Sequence, residues 1–247
     1  MLKGDAVAVK GNVPPRQMAM PLLLPEEKLY ALDRFYPGVD NRAALGAARA
    51  FTEKSPTAFV VVGRRQSGKT HLLKGILLNW KKGAFIDAAL MAGLTEEETA
   101  RLFREAAAFP LVCIDNLDAA PGPENLHEEV FNLFNALASA GGHIAVAMKT
   151  SPAKAEMPDY LTSRLLTGMV VTLKRPADEE RADILRKIAQ DRSIALTPRA
   201  LDYILERSGR SVGDLLALVG RLEKSFAPGS KRIGLQLLKR VLDSEAS

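Results

Sequence analysis

The stretch Gly63-Arg64-Arg65-Gln66-Ser67-Gly68-Lys69-Thr70 matches G-x-x-x-x-G-K-[ST] at every position. Such a loop carries a defined chemistry. Gly63 and Gly68 let the backbone turn tightly and present its N–H groups to phosphate oxygens. A helix starting at the loop adds its positive end. Lys69 is placed to reach β- and γ-phosphates, and the Thr70 hydroxyl to ligate Mg2+. At average residue frequencies a chance match in a chain of this length has odds on the order of one in a hundred. The alternative is an ordinary glycine turn with a surface lysine. Context favours the phosphate loop, because an apolar run, Ala58-Phe59-Val60-Val61-Val62, leads in. Leu72, Leu73, Ile76 and Leu77 then share one face of the helix expected over Thr70–Trp80.

Outward from the loop, strands and helices alternate. Ala84–Asp87, Leu111–Asp115, His143–Met148 and Val170–Leu173 read as further strands. Asn41 is a candidate cap for a helix over Arg42–Phe51. Thr95-Glu96-Glu97-Glu98 opens a helix to Ala108 as a capping box, and Glu128–Ala138 reads as another helix. This alternation predicts an α/β fold, a parallel sheet between helices. After Pro176 the pattern changes to Ala177–Gln190, Pro198–Ser208, Val212–Ser225 and Lys231–Leu242, which read as helices without strands between them. The expected organisation is a flexible tail over residues 1–24, a nucleotide-binding core over 25–174 and a small all-helical lid over 175–247. The tail is set apart by Pro14, Pro15, Pro21 and Pro25, which oppose both helix and central strand.

Bulk properties narrow the classes. The chain has 247 residues, enough for one larger and one smaller domain. Its single cysteine, Cys113, excludes an intramolecular disulfide and lies in an apolar run where a buried thiol is expected. No apolar stretch approaches the length of a membrane span. With no secretory leader evident, a cytoplasmic location is expected. The formal charge of +5 favours weak contact with polyanions, but the basic residues are scattered, as on an ordinary solvated surface. The three histidines lack partners at metal-site spacing, so zinc is not expected.

Asp115, at the end of its strand, is the expected second Mg2+ ligand. Alongside Gly-Lys-Thr-His-Leu-Leu from Gly68 to Leu73 stand three further motifs. They are Cys113-Ile114-Asp115-Asn116, the run Glu129–Leu137, and Leu161-Thr162-Ser163-Arg164-Leu165 followed by Gly168. In this order they resemble the DnaA family of AAA+ proteins over roughly residues 25–245. The resemblance implies an AAA+ P-loop core with a helical lid, an adenine nucleotide (ADP or ATP) and Mg2+. It implies nucleotide contacts from Gly63, Arg64, Arg65, Gln66, Ser67, Gly68, Lys69, Thr70, His71 and Asp115, with Thr70 and Asp115 on the metal.

The chain ends at Ser247, after the last expected lid helix, where DnaA continues into a DNA-reading domain. It is therefore similar to the Hda family of DnaA-related regulators, which inactivate the initiator after replication starts. That resemblance implies DnaA and the DNA polymerase III sliding clamp as partners, with DNA reached through the clamp. A homo-oligomer stays open. The tail segment Gln17-Met18-Ala19-Met20-Pro21-Leu22 resembles the clamp-binding peptide of that family, with methionine in place of the usual leucines. Gln17 would fix register by hydrogen bonds, and Met18, Met20, Pro21 and Leu22 would offer apolar surface. The alternative is a tail that packs nowhere.

By the same resemblance Arg164 is an arginine finger acting in trans. A guanidinium supplied by a neighbouring subunit speeds phosphoryl transfer by ~10³–10⁵-fold. The alternative is a surface arginine paired with a carboxylate such as Asp159. Hydrolysis in the chain's own site is expected to be weak. Asn116 stands where many AAA+ enzymes carry a second acidic residue, and an amide orients water but is no general base. Lys149 stands where DnaA-like proteins carry Asp. Gly213 stands where a phosphate-sensing arginine is expected, with Arg210 nearby as a substitute. The rival reading is an autonomous AAA+ ATPase such as a helicase loader. A DNA-binding accessory protein rests on the basic charge alone.

Overall fold

The computed structural model of the chain describes residues 30–80, 82–118, 122–207, 212–225, 232–236 and 238–239. Five parallel strands form the main sheet. They are β1 (Ala58–Gly63), β2 (Ala84–Asp87), β3 (Leu111–Asp115), β4 (His143–Met148) and β5 (Met169–Leu173), in the order β2-β3-β4-β1-β5. Between β1 and β4, Val62 lies opposite Met148; between β2 and β3, Asp87 lies opposite Asp115. The carboxyl ends of β1, β3 and β4 are thus neighbours.

Strand periodicity divides the core into two layers, because successive side chains point to opposite faces. Phe59 and Val61 of β1 join Cys113, Ala145 and Ala147 against α1 (Arg42–Ala50) and α2 (Lys69–Trp80). Val60 and Val62 join Ile114, Ile144 and Val146 against α3 (Glu96–Ala106), α4 (Leu126–Ala140) and α5 (Asp159–Leu166). The central strands β1, β3 and β4 are buried along their whole length, as expected of parallel strands covered on both faces. Cys113 lies fully inside, and burial pushes its thiol pKa up.

Local chemistry sets several helix ends. The Thr95 hydroxyl accepts from Glu98 N–H at 3.2 Å while the Glu98 carboxylate accepts from Thr95 N–H at 2.9 Å, the capping box expected there. Asn41 precedes α1 as expected but does not cap it. Its side chain instead donates to Lys174 C=O at 2.9 Å and accepts from Lys174 N–H at 2.8 Å, tying α1 to the end of β5. A helix end and a strand end 133 residues apart compete for one amide, and the strand end wins by offering both a donor and an acceptor. The α5 segment, quoted above only as a motif, is a helix entered from Pro158.

The C-terminal part has its own core. Ile184, Leu185 and Ile188 of α6 (Arg181–Asp191) pack with Leu201 and Ile204 of α7 (Pro198–Arg207) and Leu215, Val219 and Leu222 of α8 (Val212–Ser225). It is not wholly helical. β6 (Ala195–Leu196) pairs in parallel with β7 (Arg232–Ile233), so within the helix expected over Lys231–Leu242 the residues Arg232 and Ile233 are strand instead. Ile233 is fully buried there and its carbonyl accepts from Thr197 N–H at 3.2 Å. Pairing between distant segments leaves no local period to read. Among the described residues no helix is long and apolar enough to cross a membrane.

Candidate functional site

The loop joining β1 to α2 is a strand-to-helix turn held in the left-handed region at two points, Gln66 (φ 65°) and Gly68 (φ 98°). Gly68 has no room for a side chain, since an added Cβ would lie 2.8 Å from the Phe35 ring. Gly63 is equally confined by the Leu173 carbonyl, 2.7 Å from where its Cβ would be. Both positions therefore demand glycine. Lys69 curls back over the loop and donates to the Gly63 and Arg64 carbonyls at 2.8 and 3.1 Å. Burial lowers its pKa, opposed by the charges of Asp115 and Asp118.

The Thr70 hydroxyl donates to Asp115 Oδ2 at 2.5 Å. Asp115 is 1% exposed, and burial raises its pKa against the Thr70 bond, with nearby Asp87 raising it further. A hydroxyl and a carboxylate in contact are hard oxygen donors of the kind Mg2+ takes together with substrate phosphates. No group of three or more His, Cys, Asp or Glu side chains suited to a metal occurs among the described residues. Two protein ligands plus phosphate oxygens is the arrangement these residues fit.

A cavity of about 630 Å³ opens over the loop. Arg65, Gln66, Ser67, Gly68, Lys69, Thr70 and His71 all line it, whereas the Arg64 side chain is exposed outside it. Gly63 and Asp115 lie buried beneath, joined to the lining through Lys69 and Thr70. The His71 ring packs edge-on between Tyr30 and Phe35 at 5.5 and 5.3 Å, its Nε2 3.3 Å from Ala31 C=O. Burial lowers its pKa to about 4. The C-terminal part contributes a mainly apolar share of the lining, through Ile184, Ile188, Val212 and Leu216, together with Lys187. The cavity thus joins a polar, cationic end to a wall of aromatic and aliphatic side chains, as a nucleotide requires.

Asn116 also lines the cavity, in the left-handed region at φ 58°. Its Nδ2 donates to Asp87 Oδ1 at 2.9 Å, so the amide is held by a carboxylate. Asp118 is a wall residue that sequence reasoning missed; its oxygens accept Lys149 N–H and Thr150 N–H, each at 2.7 Å. No motif flags it, since an isolated aspartate after a strand is commonplace.

Arg164 is elsewhere. It is exposed on α5, absent from the cavity lining, and paired with none of the described carboxylates, Asp159 included. Its guanidinium lies 5.9 Å from the Phe131 ring of α4, which meets Tyr160 edge-on at 4.8 Å. Tyr160, one turn earlier on α5, leaves 43% of its surface exposed, and Leu166, at the end of that helix, 44%. Gln17, Met18, Met20, Pro21, Leu22 and Arg210 lie outside the described residues. Gly213 falls in the first turn of α8.

Residues 26–172, more than half of the chain, match the family of the bacterial DnaA ATPase domain. The chain belongs to that family. It is 27% identical over 235 residues to the chromosomal replication initiator protein DnaA of Gluconobacter oxydans, covering 89% of this chain and 49% of that protein. The chain thus spans about half the length of that initiator. Among solved structures it is similar to domain III of the Thermotoga maritima replication initiation protein DnaA, with TM-score 0.64, 22% identity and coverage of 90% and 98%. It is also similar to AMPPCP-bound DnaA from Aquifex aeolicus, with TM-score 0.59, 21% identity and coverage of 88% and 70%. At such identities these two likenesses speak to the AAA+ fold, and AMPPCP, an adenine nucleotide analogue, is the ligand of the Aquifex protein.

Proposed function

We propose that this DnaA-type domain is an Hda-like regulator of replication initiation. It binds an adenine nucleotide and Mg2+ in its own cavity, docks on the DNA polymerase III sliding clamp, and promotes hydrolysis of ATP held by DnaA through Arg164. The observation that carries the reading is the placement of Arg164, exposed, outside its own cavity and without a described carboxylate partner. A guanidinium so placed is available to a phosphate bound by another subunit, where it neutralises charge developing on the transferred group. Tyr160, one turn from Arg164 on α5, supplies apolar surface for the docking partner.

In its own cavity Lys69 holds the β- and γ-phosphates, while Thr70 and Asp115 hold Mg2+, which neutralises phosphate charge when bound. Asn116 orients water without accepting its proton, which supports weak intrinsic turnover. The nucleotide bridges the loop and the apolar wall of α6 and α8, so its binding sets how the C-terminal part meets the core. Gln17, Met18, Met20, Pro21 and Leu22 dock on the clamp, and DNA is reached through it.

The test combines DnaA, clamp-loaded DNA and this chain, and follows the loss of ATP from DnaA. Arg164→Ala is expected to bind the clamp yet leave ATP on DnaA. Gln17→Ala is expected to lose the clamp and, with it, the activity. Normal activity of Arg164→Ala would refute the finger.

A further inference from the structure

We infer that residues 35–39 form a strap, latched by Glu180, that limits how far the C-terminal side of the cavity can move from the phosphate loop and so slows release of a bound nucleotide. The inference rests on the reading of the cavity as a nucleotide site. Two adjacent residues of the strap belong to different cores. Phe35 is buried in the layer of α1 and α2, its ring against Gly68 and 5.3 Å from the His71 ring. Tyr36 packs instead against the core of α6, α7 and α8. Both line the cavity. Consecutive Cα atoms stay about 3.8 Å apart, so the two cores are pinned to each other at this one peptide unit.

Two segments of chain cross between the cores here, the strap and the connection that leaves β5, and hydrogen bonds tie them at both ends. At one end the Asn41 side chain exchanges two bonds with the Lys174 backbone, at 2.9 and 2.8 Å. At the other stands Glu180, in the 3-10 turn Asp178–Glu180 ahead of α6. Its Oε1 accepts from Val39 N–H at 3.2 Å and its Oε2 from Ala177 N–H at 3.0 Å. One carboxylate therefore holds both segments. Val39 leaves 75% of its surface exposed, so its backbone and not its side chain makes the attachment. Gly38 lies against the same carboxylate, which an added Cβ would strike. Asn41 N–H closes the strap on itself by donating to Pro37 C=O at 3.0 Å.

The latch acts on one side of the cavity only. α6 begins at Arg181, directly after Glu180, and brings Ile184, Lys187 and Ile188 to the lining. Glu180 does not line the cavity itself, so it acts through the placing of α6. Releasing it frees that side while Lys69, Thr70 and Asp115 keep their own bonds. Phosphates held by the loop alone do not sense the latch. A base held against α6 does, because its escape requires that side to move away.

The test is stopped-flow release of a fluorescent ATP analogue from the full chain, with binding of inorganic triphosphate measured by calorimetry beside it. The proteins are the unaltered chain, Glu180→Ala and Glu180→Gln. Glu180→Ala should release the analogue about threefold to tenfold faster, the worth of one hydrogen bond at a solvent-accessible site, and bind triphosphate as the unaltered chain does. Glu180→Gln keeps one accepting oxygen and should fall between the two. Equal release rates for all three overturn the inference and leave the nucleotide reading intact. A loss shared equally by the analogue and triphosphate reports damage to the loop and overturns it too. Failure of the unaltered chain to bind either ligand overturns both.

Discussion

His71 carries a consequence that pH exposes. Packed between Tyr30 and Phe35, its ring is held neutral, with the pKa lowered to about 4 from an ordinary value of 6.5. The folded state therefore binds a proton less readily than the unfolded chain. The stability it contributes is full above pH 6.5 and is lost as pH falls through about 4. For the shift of His71, that loss amounts to at most about 3 kcal/mol. Urea unfolding of His71→Phe, which keeps a ring, should show a shallower decline over this window than the unaltered chain. Lys69→Ala should weaken ATP binding by roughly two orders of magnitude while leaving unfolding little changed, as titration of a fluorescent nucleotide would show. These residues were legible because the loop is contiguous: eight positions and their flanking strand and helix declare one chemistry. Asp118 was not, because its role is to grip backbone more than thirty residues away.

Among the elements, the tie between α1 and β5 is the feature most open to test. Asn41 is 2% exposed and makes two hydrogen bonds to the Lys174 backbone. Asn41→Ala should leave the part-buried Lys174 N–H and C=O without these partners and destabilise the fold by about 1 kcal/mol. Urea unfolding should report this as a lower midpoint at unchanged slope. The five strands were readable because their apolar runs stand between turn residues, and α3 because Thr95 and Glu98 announce its start. The Asn41 amide was misread as a cap, since sequence shows a helix end but not the strand end that competes for it. β7 went unseen for a related reason: two residues paired to a distant partner carry no period.

At the scale of the whole molecule, the cavity is closed by two separate cores, the loop side from β1 and α2 and the apolar side from α6 and α8. A ligand that binds only this assembled state stabilises it by mass action. Saturation with adenine nucleotide should therefore raise the thermal midpoint of the unaltered chain and leave that of Lys69→Ala nearly unmoved, which differential scanning fluorimetry would detect. The fold class was readable from alternation alone, whereas the meeting of the two cores was not, because no local pattern encodes how separate cores dock. In the proposed reading the same arrangement separates two functions, nucleotide binding in the cavity and, outside it, the action of the exposed Arg164. That separation is tested most directly by placing radiolabelled ATP on one protein at a time, in mixtures of DnaA, clamp-loaded DNA and this chain. Label on DnaA should be hydrolysed only when Arg164 is present, while label on this chain persists. Rapid loss of label from this chain alone, without partners, would contradict the account.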